Sequence, residues 1–266
     1  MKLTCWSSGL LAGFLLAAAA SELVPAAGLA LPNGLDRKTA AIAFDCHGVL
    51  FKFNYLRLAA IMGVGALAAW GGTKLFGARV VMPVVAAFVG GWALFGGWLL
   101  LQKRWYGGAP SVESYLQGDS LFKKALRRFW LFFANQFRPD PAVFAKAWEL
   151  KRAGYKLVFA SNTGKQAFTE LRAANETFFS ENGTELFDGF FYPGCSWLVG
   201  NERAQREQAQ WLVKAHPSYF DLLFSFVREK VLAQGKEVVF IDDSPSFIAR
   251  ARQDSRFGGS LLFKGV

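Results

Sequence analysis

Cysteine is scarce in this chain: three in 266 residues, at positions 5, 46 and 195. Thiols so few and so spread give no disulfide framework, which excludes the small disulfide-stapled class and fits a reducing compartment. Cys46 abuts Asp45, has no base at hand beyond His47, and reads as a small buried residue rather than a catalytic thiol. Acidic residues are also short, 20 Asp and Glu against 30 Lys and Arg, a formal charge of +10. The basic excess forms no long patch interleaved with aromatics, so nucleic acid is not an expected partner. It flanks apolar runs instead, as Lys103 and Arg104 do, followed by Lys123, Lys124, Arg127 and Arg128. No internal repeat is visible. Charge is missing altogether from residues 58–73 and 80–101.

What is present begins with 53% hydrophobic residues in a length that suits one sizeable α/β domain with an insertion. Residues 1–35 hold an apolar stretch behind Lys2, Ala-rich up to Ser21 and then broken by Pro25, and are read as a signal peptide or membrane anchor. The run 80–101 matches the ~20 residues needed to cross a bilayer core, and 58–73 is slightly short of it. Lys74 and Arg79 lie in the connector between them; Trp92, Trp98, Trp105 and Tyr106 sit in and beyond the second run, where an interfacial belt would fall. Residues 55–139 are therefore expected to be an insertion carrying an apolar, transmembrane helical hairpin, the competing reading being two buried helices in a soluble cap. Basic residues before and after the hairpin place the core on the cytoplasmic side. A cleaved leader would export it instead.

Residues 36–54 and 140–266 make the core. The run 39–44 reads as a buried parallel strand, and Ser120–Phe137 as helical. Asp140-Pro141 caps a helix that runs to Arg152 and closes at Gly154. Strands follow at 157–160, 187–192, 237–241 and 261–263, with helices at 165–180, 217–233 and 245–252 between them. Such alternation predicts an α/β fold: a Rossmann-like parallel sheet with helices on both faces, the apolar hairpin inserted in the cap position.

Chemistry gathers at strand ends. Ala41-Ile42-Ala43-Phe44 runs into Asp45-Cys46-His47-Gly48, and Val238-Val239-Phe240-Ile241 runs into Asp242-Asp243-Ser244-Pro245. In an open α/β sheet, ligands bind beyond the carboxyl ends of the strands, so these acids can converge. Carboxylates gathered there suit a hard cation such as Mg2+, and a free carboxylate beside it suits nucleophilic attack on phosphorus. Ser161-Asn162 follows another strand and Lys214 precedes His216-Pro217. Taken singly, each has a plainer reading: a turn after a strand, a solvent-facing lysine, an Asp243 that only caps a helix.

Together and in this order, the four segments resemble the haloacid dehalogenase-like (HAD) hydrolase superfamily, over residues 39–54 and 140–263. The resemblance implies Asp45 as nucleophile, forming an aspartyl-phosphate. Ser161 and Asn162 would contact the transferring group, and Lys214 would hold the phosphate. Mg2+ would be held by Asp45, Asp242, Asp243 and the backbone carbonyl of His47. A Mg2+-dependent phosphomonoesterase acting on a small phosphorylated substrate is the function it implies. The sequence departs from the pattern at His47, where such phosphatases place a second aspartate as acid and base. Either His47 takes over that duty, or the protein is a catalytically impaired phosphate-binding or scaffolding module in the membrane, or its chemistry is dehalogenase-like, in that order of preference.

Overall fold

The computed structural model describes residues 31–54, 71–77, 119–120, 136–207 and 213–263, with isolated positions between 79 and 131. The chain divides into two compact units: Met1–Val24 with Asn54–Gly107, and Pro25–Phe53 with Gly108–Val266. In the first, residues 71–76 are helical, with Leu75 and Phe76 exposed. The leader and the two uncharged runs lie almost entirely outside the described residues. Among the described residues, no helix is long and apolar enough to cross a membrane.

The second unit is built on a five-stranded parallel sheet. Its strands are β1 (Ala40–Phe44), β4 (Lys156–Ala160), β7 (Gly189–Phe191), β8 (Glu237–Asp242) and β9 (Leu261–Leu262). Across the sheet they run β7-β4-β1-β8-β9, so chain order reverses at β1. That reversal opens a crevice at the carboxyl ends, where doubly wound sheets take their ligands. β1 is buried at every position, as its uninterrupted apolar run predicts for a strand covered on both faces.

Alternation along the strands sorts the core into two layers. Ile42, Phe44, Leu157, Phe159, Val239 and Ile241 point to one side, packed with Phe144 and Leu150 of helix α1 (Pro141–Arg152) and Phe168 of α2 (Lys165–Ala174). Ala41, Ala43, Val158, Ala160, Val238 and Phe240 point to the other, against Leu198 of α4 (Ser196–Gly200), Ala204 of α5 (Glu202–Arg206), Leu223 of α6 (Tyr219–Phe226) and Ile248 of α7 (Pro245–Ala251). Helices on both faces are thus observed. The cap expected at α1 is present: Asp140 Oδ1 accepts from the amides of Ala142 and Val143, and Gly154 takes φ +89° beyond the last turn.

Three local readings are corrected. Phe137 is not helical; Phe137–Pro139 is strand β3, antiparallel to β2 (Phe51–Phe53), with Lys52 opposite Arg138. Pairing over so long a sequence gap leaves no local periodic signal. The helix expected over 165–180 breaks at Asn175 into α2 and the single turn α3 (Glu176–Phe179), and Ser180–Glu181 (β5) pairs with Thr184–Glu185 (β6). The helix expected over 217–233 is α-helical only to Phe226; Val227–Val231 widens into a π turn.

Candidate active site and metal centre

Register brings the two acidic strand ends together. Phe44 lies beside Ile241 in the β1–β8 ladder, so the next residues, Asp45 and Asp242, are neighbours. Both continue the face that carries Ala43 and Phe240, on the side of helices α4–α7. The Asp45 amide donates to the Ile241 carbonyl at 2.9 Å, which keeps the ladder intact to the last residue.

Lys214 reaches between them. Its Nζ is 2.5 Å from Asp45 Oδ1 and 2.6 Å from Asp242 Oδ2, and the side chain is 1% exposed. The ammonium also lies 5.3 Å from the Phe240 ring and 5.8 Å from Phe247. Asp45 Oδ1 takes a second hydrogen bond, from the Cys46 amide at 2.7 Å. No hydrogen bond to Asp45 Oδ2 occurs among the described residues. Asp242 Oδ1 accepts from the Ser244 amide at 2.7 Å.

Asp243 completes an acidic trio. Carboxylate oxygens of Asp45, Asp242 and Asp243 lie within 4.8 Å of one another. Burial raises Asp45 to about 7; Lys214 pulls it down and Asp242 pushes it up. Asp243 is raised as well, by burial and then by Asp242. Asp45 is therefore not the freely ionised carboxylate that its ordinary value would give. Three acids and one ammonium leave an excess of negative charge, which a divalent cation with a preference for oxygen ligands would neutralise. The residues present fit Mg2+.

Gly48 makes room for that trio. Its φ is +87°, and a Cβ there would stand 2.0 Å from Asp243 Oδ2 and 2.4 Å from Asp243 Cγ. Gly48→Ala is expected to combine left-handed strain of about 1–3 kcal/mol with a displaced Asp243 carboxylate. Its thermal midpoint should fall and its Mg2+ affinity, titrated calorimetrically, should weaken. Unchanged affinity would show that Asp243 is not needed to hold the ion.

Ser161 and His47 occupy the neighbouring corner. The Ser161 amide donates to the Phe191 carbonyl at 3.0 Å, and its buried hydroxyl accepts from the Thr163 amide at 3.0 Å. Ser161 Oγ and Thr163 Oγ1 are 2.8 Å apart, and Thr163 Oγ1 is 3.4 Å from His47 Nδ1. The His47 ring lies 4.0 Å from that of Phe137, tilted by 32°. Its Nε2 is buried without a hydrogen-bond partner among the described residues. Burial, and then the charge of Lys214, lowers His47 to about 4, so the ring is neutral at neutral pH. Asn162, expected at the phosphate, accepts the Lys214 amide on Oδ1 at 2.7 Å. Cys46 is fully buried and its thiol pushed far up by burial and by Asp45, which bears out a packing residue.

Sequence reasoning missed Thr163 and Arg250. Thr163 is one residue beyond the Ser161-Asn162 pair and carries no separate signal. Arg250 looks like any basic residue of a helix's last turn, yet it donates to four carbonyls of the Lys214 loop.

No protein-family model matches the chain, and no curated protein matches it. Two solved structures are similar to it. One is a HAD family enzyme from Bacteroides thetaiotaomicron, an aspartate-to-alanine mutant in complex with magnesium and inorganic phosphate; identity is 16%, over 81% of this chain and 90% of that one, with a TM-score of 0.41. The other is a hydrolase of the haloacid dehalogenase-like family from Streptococcus pneumoniae, at 14% identity over 82% of each chain and a TM-score of 0.38.

Proposed function

We propose that the protein is a HAD-like, Mg2+-dependent phosphomonoesterase that works through an aspartyl-phosphate on Asp45. The observation that carries this reading is the Lys214 ammonium shared by Asp45 and Asp242, with Asp243 beside them, at the point where strand order reverses. Asp45 Oδ2, which takes none of the hydrogen bonds that tie down Oδ1 among the described residues, is the attacking oxygen. Lys214 holds the phosphate and pulls the Asp45 carboxyl back toward its ionised form against the effect of burial. The Ser161 hydroxyl donates to the transferring phosphoryl group. As the ester P–O bond breaks, the leaving oxygen takes its proton from solvent; His47 Nε2, without a hydrogen-bond partner among the described residues, then takes a proton from the water that releases the phosphate. Mg2+, held by Asp45, Asp242, Asp243 and the His47 carbonyl, supplies positive charge at the phosphoryl oxygens when bound.

A second reading, a catalytically impaired module that binds phosphate, is favoured by the neutral ring of His47 standing where a second carboxylate is expected. Assay of the purified protein against a panel of phosphomonoesters separates the two. Hydrolysis that Mg2+ supports and EDTA removes is expected; no turnover of any ester, with phosphate still bound, would favour the module.

Membrane association belongs to the same proposal and rests on the uncharged runs 58–73 and 80–101 with their basic flanks, which would set the catalytic core on the cytoplasmic side. The full chain is expected to sediment with membranes and need detergent for extraction. Recovery in the soluble fraction without detergent would overturn it.

A further inference from the structure

Lys214 is one of the largest fully buried side chains among the described residues, and a lysine carries more rotamer freedom than most side chains. Something must hold it. The loop that bears it is not helical at Lys214, and among the described residues two side chains from elsewhere hold its backbone around Lys214. On the amide side, Lys214 N donates to Asn162 Oδ1 at 2.7 Å, and Asn162 follows Ser161 at the end of β4. On the carbonyl side, one guanidinium meets four successive carbonyls. Arg250 Nη1 donates to Lys214 O at 3.2 Å and to Ala215 O at 2.8 Å; Nη2 donates to His216 O and Pro217 O, each at 2.8 Å.

Arg250 projects from α7, the helix that starts directly after Asp242-Asp243-Ser244. The loop is therefore tied to the two strands that flank β1: to β4 through Asn162 and to the helix after β8 through Arg250. The ammonium then lands on Asp45 of β1. Arg suits this duty because its planar fork presents five donors in fixed directions, whereas a lysine there would offer one compact ammonium.

We propose that Arg250 and Asn162 are positioning residues that together clamp the Lys214 loop, so that the ammonium is held at Asp45 and Asp242 before substrate arrives. This rests on the reading of Lys214 as the phosphate-holding group, and it changes the part of Asn162 from phosphate contact to loop anchor. A merely structural pair would add stability without fixing the lysine.

Lysine acylation by acetic anhydride, followed residue by residue by mass spectrometry on the folded full-length protein, reads the clamp directly and does not depend on turnover. In the native protein Lys214 should react slowest. Arg250→Gln and Asn162→Ala should each speed its acylation about tenfold relative to the other lysines, the loss of a well-placed hydrogen bond. Arg250→Lys should rescue little, whereas Asn162→Asp, which keeps the acceptor, should restore protection. The inhibition constant of inorganic phosphate should rise by a similar factor in Arg250→Gln and Asn162→Ala, while the Mg2+ requirement stays put. Should Arg250→Gln unfold, seen as fast acylation of every lysine, the exposed Asn162 decides by the same ratio. Lys214 equally protected in Asn162→Ala and in any folded Arg250 variant would overturn the clamp. An absence of phosphatase activity with the acylation pattern as expected would sink the proposed reaction and leave the clamp standing.

Discussion

If the proposed reaction holds, Asp45→Asn is expected to lower turnover of any phosphomonoester by at least about 10³-fold while the protein stays folded, because the proposed attacking oxygen is changed. The amide keeps the shape of the carboxyl, and its Oδ1 can still accept from the Cys46 amide and from Lys214. A metal-fluoride analogue of the phosphoryl group should bind the native protein and not the variant. Turnover that survived the substitution would end the nucleophile assignment. Stability gives an independent reading. Burial raises the native Asp45 to about 7, above its unfolded value, so the folded state holds a proton more readily than the unfolded state does. A raised carboxyl makes the native protein lose stability as pH climbs from its unfolded value toward about 7. Asn has no such dependence. Measured in EDTA, the stability of Asp45→Asn relative to the native protein should improve across that window and level off above it. A flat difference would mean that Asp45 is not strained by its surroundings.

Much of this site is legible before any coordinates because parallel strands buried on both faces leave near-continuous apolar runs. Against such runs, Asp45, Ser161 and the Asp242-Asp243 pair stand out as polar residues at strand ends, and the sheet brings strand ends to one edge. Lys214 could be picked out only through its place in a familiar order of segments; no periodicity marks it. What stayed hidden depends on contacts between distant segments. β2 and β3 are three residues each, too short for alternation to register, and pair across a long stretch of sequence. Asn162 is placed at the phosphate only by the resemblance; that its side-chain oxygen accepts an amide fifty-two positions away has no signal in the sequence. Arg250 is hidden for the same reason: a guanidinium bound to backbone carbonyls leaves no pattern in the residue types it meets. His47 is a different case. Its identity was plain, but its tilted contact with Phe137 and its lowered ionisation come from burial that only the folded chain creates.

Lys214→Met tests the electrostatic centre most severely, since it keeps most of the side-chain volume and removes the charge. Asp45 and Asp242 would then lie buried side by side with no cation between them. Breaking a buried pair by removing one partner typically costs about 3–5 kcal/mol, because the remaining charge is left uncompensated. In a chain of this size that is a fall in thermal midpoint on the order of 10 °C at pH 8 in EDTA. The pH dependence has a definite sign. Lys214 lowers Asp45, so its removal lets Asp45 rise further above its unfolded value. A carboxyl raised in the folded state costs stability as pH rises through the gap between its unfolded and folded values, and acid restores what is lost. The variant should therefore be least stable in alkali and recover toward the native protein on acidification, as Asp45 takes up its proton. Added Mg2+ should return part of the lost stability at pH 8, since an ion bound only by the folded state stabilises it. Turnover should not return with it, because the phosphate would still lack its ammonium. A thermal midpoint at pH 8 that matched the native protein, with or without Mg2+, would show that Lys214 does not hold these two carboxylates together.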